Sequence, residues 1–128
     1  MRFHTGERTK RNTIKFILVM NNYQFICEVC TNPTTIFSHK VGKWDVKAYI
    51  AQSPNGKWDY GYLAYYDDGG VVCPVMLQKD DKGLSEEGAR FQALKAIESF
   101  VRTKQVTDIE DQSRLLDILW EEMQPKLF

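Results

Sequence analysis

Between Trp44 and Leu77, apolar and polar residues alternate with a period of two, interrupted twice by turn residues. Trp44, Val46, Ala48 and Ile50 fall on one side of an extended chain, and Asp45, Lys47 and Tyr49 on the other, the pattern of a strand with one buried face. Ser53-Pro54-Asn55-Gly56-Lys57 follows. Proline fixes φ negative, so it excludes a type I′ turn and suits the first corner of a type I turn, with Asn55 second and Gly56 in the left-handed position. This turn sets Ile50 opposite Tyr60, Ala48 opposite Tyr62, Val46 opposite Ala64 and Trp44 opposite Tyr66. A second turn at Asp68-Gly69 then sets Tyr66 opposite Val71, Ala64 opposite Cys73, Tyr62 opposite Val75 and Tyr60 opposite Leu77. The two turns are independent signals, yet both send Trp44, Val46, Tyr60, Tyr62, Ala64, Val71 and Val75 to one face. A slip of one residue in either would mix the faces. Residues 44–77 are therefore predicted to form a three-stranded antiparallel meander.

The flanks follow from the same kind of reading. Thr13–Met20 and Tyr23–Cys30 are rich in β-formers, and Asn21-Asn22 between them suits a two-residue hairpin turn, because Asn tolerates positive φ. This hairpin, 13–30, is a possible extension of the sheet. Thr31 to Gly42, with Asn32-Pro33, Thr34-Thr35 and a closing Gly, reads as a loop. Ser85 before Glu86 and Glu87 is a helix start, with acids complementing the dipole. The helix is predicted over about 86–102, with Ala89, Ala93, Ala96, Ile97, Phe100 and Val101 as its buried stripe. Thr107-Asp108-Ile109-Glu110 reads as a capping box opening a second helix over about 108–124. Its stripe is Ile109, Gln112, Leu116, Leu119, Trp120 and Met123, and Pro125 ends it. The expected fold is α+β: an antiparallel sheet packed by two C-terminal helices, the first across the Trp44/Tyr60/Val75 face. Only Thr103 to Val106 separate the helices, so the second should lie beside the first.

The 128 residues suit one domain, with 43% apolar and 27% charged residues arguing against disorder. Residues 1–12 form a basic N-terminal tail, expected to be disordered, ahead of a single domain over 13–128. Seventeen Lys and Arg balance seventeen Asp and Glu, which removes the global charge signature of a nucleic-acid-binding protein. Locally the balance breaks. Arg2, Arg8, Lys10, Arg11 and Lys15 make a basic arm, and the last helix is acidic. The apolar run Phe16–Met20 is too short for a membrane span or a secretory signal. Three cysteines make no even disulfide framework, so the expected compartment is the reducing cytoplasm.

Cys27-Glu28-Val29-Cys30 has the spacing of half a zinc site, and His39 lies eight residues further on. No second histidine follows, so two strand-end cysteines are the plainer reading, and Cys27, Cys30 and His39 stand only as an alternative metal or catalytic set. No serine-nucleophile elbow or phosphate loop is present, and no cofactor is expected. The sheet face opposite the helices carries Lys47, Tyr49, Leu63, Tyr65, Val72 and Met76, too apolar a set to be left wholly wet. The N-terminal hairpin, a second copy of the chain or a partner would cover it.

Three meandering strands followed by an Ala-rich helix resemble the β-β-β-α part of the double-stranded-RNA-binding fold. Trp44 to Val101, with its Pro-Asn-Gly-Lys-Trp hairpin and Ser-Glu-Glu helix start, is also similar to small domains attached to bacterial plasmid-partition and phage proteins. The first resemblance implies RNA binding through a lysine cluster at the start of the last helix. Here that position reads Ser85-Glu86-Glu87-Gly88-Ala89-Arg90, with acids where phosphates would sit, and the leading helix of that fold is replaced by a β-like segment. The expectation is a non-catalytic interaction module of a bacterial or phage accessory gene. Its partner would be protein, a second copy in a homodimer, or nucleic acid through the basic arm with Lys40, Lys43 and Lys47; no membrane is involved.

Overall fold

The computed structural model of the chain describes residues 2–3, 7–8, 13–77 and 83–125. In chain order the strands are β1 (Arg2–Phe3), β2 (Glu7–Arg8), β3 (Thr13–Met20), β4 (Tyr23–Cys30), β5 (Thr34–Val41), β6 (Trp44–Gln52), β7 (Trp58–Tyr66) and β8 (Gly69–Cys73), followed by helices α1 (Glu86–Thr103) and α2 (Ile109–Met123). The fold is α+β, as expected. One antiparallel sheet runs β5-β6-β7-β8. A second is built on the β3–β4 hairpin, which turns at Asn21-Asn22 with φ of 53° and 68°. Parts of the basic N-terminal segment, β1 and β2, pair antiparallel with β3.

The β6–β7 ladder has the expected register throughout, from Trp44↔Tyr66 to Gln52↔Trp58. The loop that sets it closes as the turn chemistry requires. Ser53 N–H donates to the Lys57 carbonyl, Gly56 N–H to the Ser53 carbonyl, and Gly56 holds a φ of 84°.

Three expectations about the sheet need correction. Thr31 to Gly42 is mostly strand: β5 pairs with β6 from Thr34↔Ile50 to Val41↔Trp44. A bulge between Thr35 and Phe37 breaks the alternation and hid the strand, and the tight connection at Gly42-Lys43, with Gly42 at φ 57°, completes the hairpin. The β7–β8 register is displaced by two residues, with Tyr66↔Gly69, Ala64↔Val71 and Tyr62↔Cys73. The turn is Asp67-Asp68, with Asp67 at φ 57°, and the Asp67 N–H donates to the Lys43 carbonyl of the neighbouring turn, which draws it out of the ladder. A shift of two keeps the β8 side chains up to Cys73 on their predicted face, but Val75 and Leu77, expected opposite Tyr62 and Tyr60 on the helix side, leave the ladder and pair with β4 instead. Finally, the ladder ends at Cys73, because Pro74 has no N–H to continue it.

Beyond Pro74 the chain turns over the sheet. A Cβ at Gly61 would stand 2.6, 2.8 and 2.9 Å from backbone atoms of Cys73, Val75 and Pro74. Gly61 belongs with Leu63 and Tyr65 to the face away from the helices, so residues 73–75 cross that face. The hairpin is tied there: Cys30 N–H donates to the Val75 carbonyl, Leu77 N–H to the Glu28 carbonyl, and Val29 pairs with Met76. The hairpin thus forms a sheet of its own and, instead of extending the β5–β8 sheet, is joined to it through the 75–77 segment.

Trp44, Val46, Ala48 and Ala64 face α1 and, with Phe37, Val41, Ala93, Leu94, Ile97, Val101, Leu115 and Leu119, form one continuous core. Small alanines on both sides bring α1 close, and Tyr60, Tyr62 and Tyr66 pack around it. The Ser85 hydroxyl accepts from Gly88 N–H at 3.0 Å, the predicted cap. Ala96 and Phe100 are only half-buried, whereas Leu94, absent from the expected stripe, is fully buried.

The second helix lies beside the first, as its short connection requires. Gln112 Nε2 donates to the Val101 and Lys104 carbonyls at the end of α1, and Arg90 approaches Glu122 at 3.8 Å. Its expected stripe is rotated. Leu115 and Leu119 are buried, while Ile109 and Trp120 are 64% and 62% exposed. Wedged between α1 and β5, the helix buries the residues that face both.

The capping box is also corrected. Asp108 is the N-cap, and its side chain makes no capping bond. Instead its carboxylate accepts from the Tyr66 hydroxyl. That bond is the main reason the Asp108 carboxyl is held below the usual range and the Tyr66 phenol is raised above its own. A carboxyl lowered by folding contributes stability above its unfolded pKa and loses it as pH falls through the folded value; a raised phenol loses its contribution as pH rises through its folded value. Tyr66→Phe is therefore expected to move Asp108 up toward the ordinary carboxylate range and to flatten the loss of stability below about pH 4. Carboxyl titration by NMR, with denaturant melts at neutral and acid pH, reads both.

Candidate interaction face

The sheet face away from α1 carries side chains that take no part in the helix-packed core. There the alternation of β6 places Asp45, Lys47 and Tyr49, all half-buried, between the buried Trp44, Val46, Ala48 and Ile50. The ladders align these positions across all four strands. One row is Lys40, Asp45, Tyr65 and Gly70; the next is Ser38, Lys47, Leu63 and Val72. Two residues of strand, about 7 Å, separate the rows. Val72 is 55% exposed, and Leu63 and Tyr65 are half-buried beside it. The Tyr65 ring lies over Gly70, in the space a Cβ there would occupy. That contact covers a strand glycine with an aromatic ring and turns the ring flat against the sheet.

The patch has two borders. The turns at 42–43 and 67–68 close one end. At the other end the crossing segment 73–75 rises over Gly61, opposite Tyr49. Beyond it the same face is closed: Asp59 is buried and accepts from the Ser53 hydroxyl at 2.8 Å. Of the six residues expected on this face, Lys47, Leu63, Tyr65 and Val72 fall in the two open rows. Tyr49 lies one row further, at the border, and Met76, 41% exposed, sits on the segment that leaves the sheet.

Asp45 was not singled out from the sequence, and it is the unusual member. Its Oδ1 is buried without a hydrogen-bond partner. That oxygen is covered by the chain itself, and as an unpaired buried acceptor it carries a desolvation cost. Ser38 was not foreseen, and Lys40, named only as a nucleic-acid contact, was not placed on this face, because β5 read as a loop; the alternation Phe37, His39, Val41 ahead of Gly42 was the available signal.

Of the alternative metal set, Cys27 and Cys30 lie on β4 and His39 on β5. His39 sits on β5 in register with the core residue Val46, its ring 4.6 Å from that of Phe37. Cys30 is half-buried where β4 meets Val75, and the Cys27 side chain lies outside the described residues. Among the described residues no three His, Cys, Asp or Glu side chains gather as a potential ion site. An open cleft of about 580 Å³ between the ends of the two helices is lined by Phe91, Leu94, Met123 and the Arg90–Glu122 pair. Among the described residues no helix is long and apolar enough to cross a membrane. The β5 strand before the meander and α2 after it are additions to the three-strand, one-helix core that the sequence resembles. Comparison with family models, curated proteins and solved structures gives no match for this chain.

Proposed function

We propose that this chain is a non-catalytic protein-binding module that works in the cytoplasm, and that its contact surface is the open sheet face formed by Lys47, Leu63, Tyr65 and Val72 with Asp45. The observation that carries the reading is the exposure of Val72 beside Leu63 and Tyr65 on a regular strand surface, while both helices are committed to the other side. Apolar residues of this size, rimmed by charge, are what a protein contact buries. Lys40 and Lys47 stand beside Asp45 in these rows, and this mixture of signs favours protein over a phosphate backbone. Cys30 and Cys73 are free thiols, which fits a reducing compartment.

A photo-crosslinking amino acid at Val72, with Ser113 on the exposed side of α2 as control, tests the surface in cells. Protein adducts several-fold more abundant from position 72 are expected; equal yields from both positions would overturn the assignment. A titration with duplex and single-stranded oligonucleotides at two salt concentrations tests the partner class. Tight binding that weakens steeply with salt would replace protein by nucleic acid.

A further inference from the structure

We infer that the open sheet face binds a second copy of this chain, face to face about a two-fold axis that crosses the strands midway between the two rows. The inference rests on the binding-surface reading above and names its partner. Such an axis exchanges the rows, so each residue of one copy meets its neighbour-row counterpart on the other. Asp45 then faces the partner copy's Lys47, and Lys47 faces the partner copy's Asp45. Tyr65 faces Leu63, and the Tyr65 ring laid over Gly70 meets Val72. Acid meets base on β6 and apolar meets apolar on β7 and β8, while on β5 Lys40 meets the partner copy's Ser38. A two-fold relation needs a surface complementary to itself, and two adjacent rows of opposite character supply one.

The borders agree with the same axis. It carries the row of Tyr49 and Gly61 of one copy onto Lys43 and Asp67, in the exposed turns of the other. The raised 73–75 segment, which would keep two sheets apart if it met sheet, therefore falls over the turns at the partner's end. The two faces approach to about 10 Å, the usual spacing of stacked sheets.

Charge exchange tests this directly. Light scattering and sedimentation equilibrium at micromolar to submillimolar concentrations are expected to show a reversible dimer. Asp45→Lys and Lys47→Glu should each weaken it at least ~10-fold, by setting two like-charged pairs at the contact. An equimolar mixture of the two variants should recover association, because each then supplies the other's missing partner, and the double variant D45K/K47E should recover it alone. A monomeric wild type across this range overturns the inference, as do single variants that remain dimeric or mixtures that stay dissociated. Circular dichroism of each variant confirms the fold. If the wild type is monomeric while position 72 still captures another protein, only the identity of the partner falls; if position 72 captures nothing above the control as well, the binding surface falls with it.

Discussion

Trp44→Ala is expected to lower the stability of the chain by about 3–5 kcal/mol, the usual cost of truncating a buried tryptophan. Trp44 is 1% exposed at the centre of the core. Its ring lies 4.6 Å from that of Tyr66 and meets Phe100 edge-on at 6.2 Å, so one side chain joins β6, β7 and α1. Removing it leaves a cavity bordered by a strand and a helix whose positions are held by other contacts, and little can collapse into the space. Lys57→Ala, at an exposed turn position, is expected to stay within about 0.5 kcal/mol of the wild type. Denaturant melts compare the two, and coincident midpoints would refute this account of the core.

Gly61→Val is expected to act through the backbone. Its side chain has nowhere to go, since the carbonyl of Cys73 and the backbone of Pro74 and Val75 stand within 3 Å of the first added atom. The crossing segment must lift, at a cost of about 1–3 kcal/mol or more. The 75–77 segment holds β4, so lifting it loosens the bonds from Cys30 N–H to Val75 and from Leu77 N–H to Glu28. Amide exchange at Cys30 and Leu77 should accelerate strongly while the β6–β7 ladder stays protected. Uniform acceleration across both sheets would show instead that the hairpin and the main sheet unfold as one unit.

The face assignment of residues 44–73 was legible in the sequence because turn chemistry and alternation are local. Pro54-Asn55-Gly56 admits one loop geometry, and that loop dictates the β6–β7 register. The extents of both helices, the Ser85 cap of the first and the short connection that sets the second beside it were legible for the same reason: each is read within a few residues. Four of the six residues expected on the outer sheet face lie in its open rows, since their side of the sheet follows from parity alone.

Contacts between distant segments decided the rest. The Asp67 N–H chose the Lys43 carbonyl, from a turn in the neighbouring hairpin, and so moved the β8 register by two. Leu115 and Leu119, rather than the more evenly spaced Ile109 and Trp120, are buried because α2 must satisfy α1 and β5 together. β5 became a strand because Phe37 and Val41 had a core to enter, despite a bulge that spoils their period. Where residues 73–75 cross the sheet, and therefore which part of its outer face stays open, depends on the absence of a side chain at Gly61 and on a segment joined to it only in space. Local chemistry sets which side of a strand a residue occupies; which parts of that side remain accessible is set by whatever else packs there, and that is a property of the assembled chain.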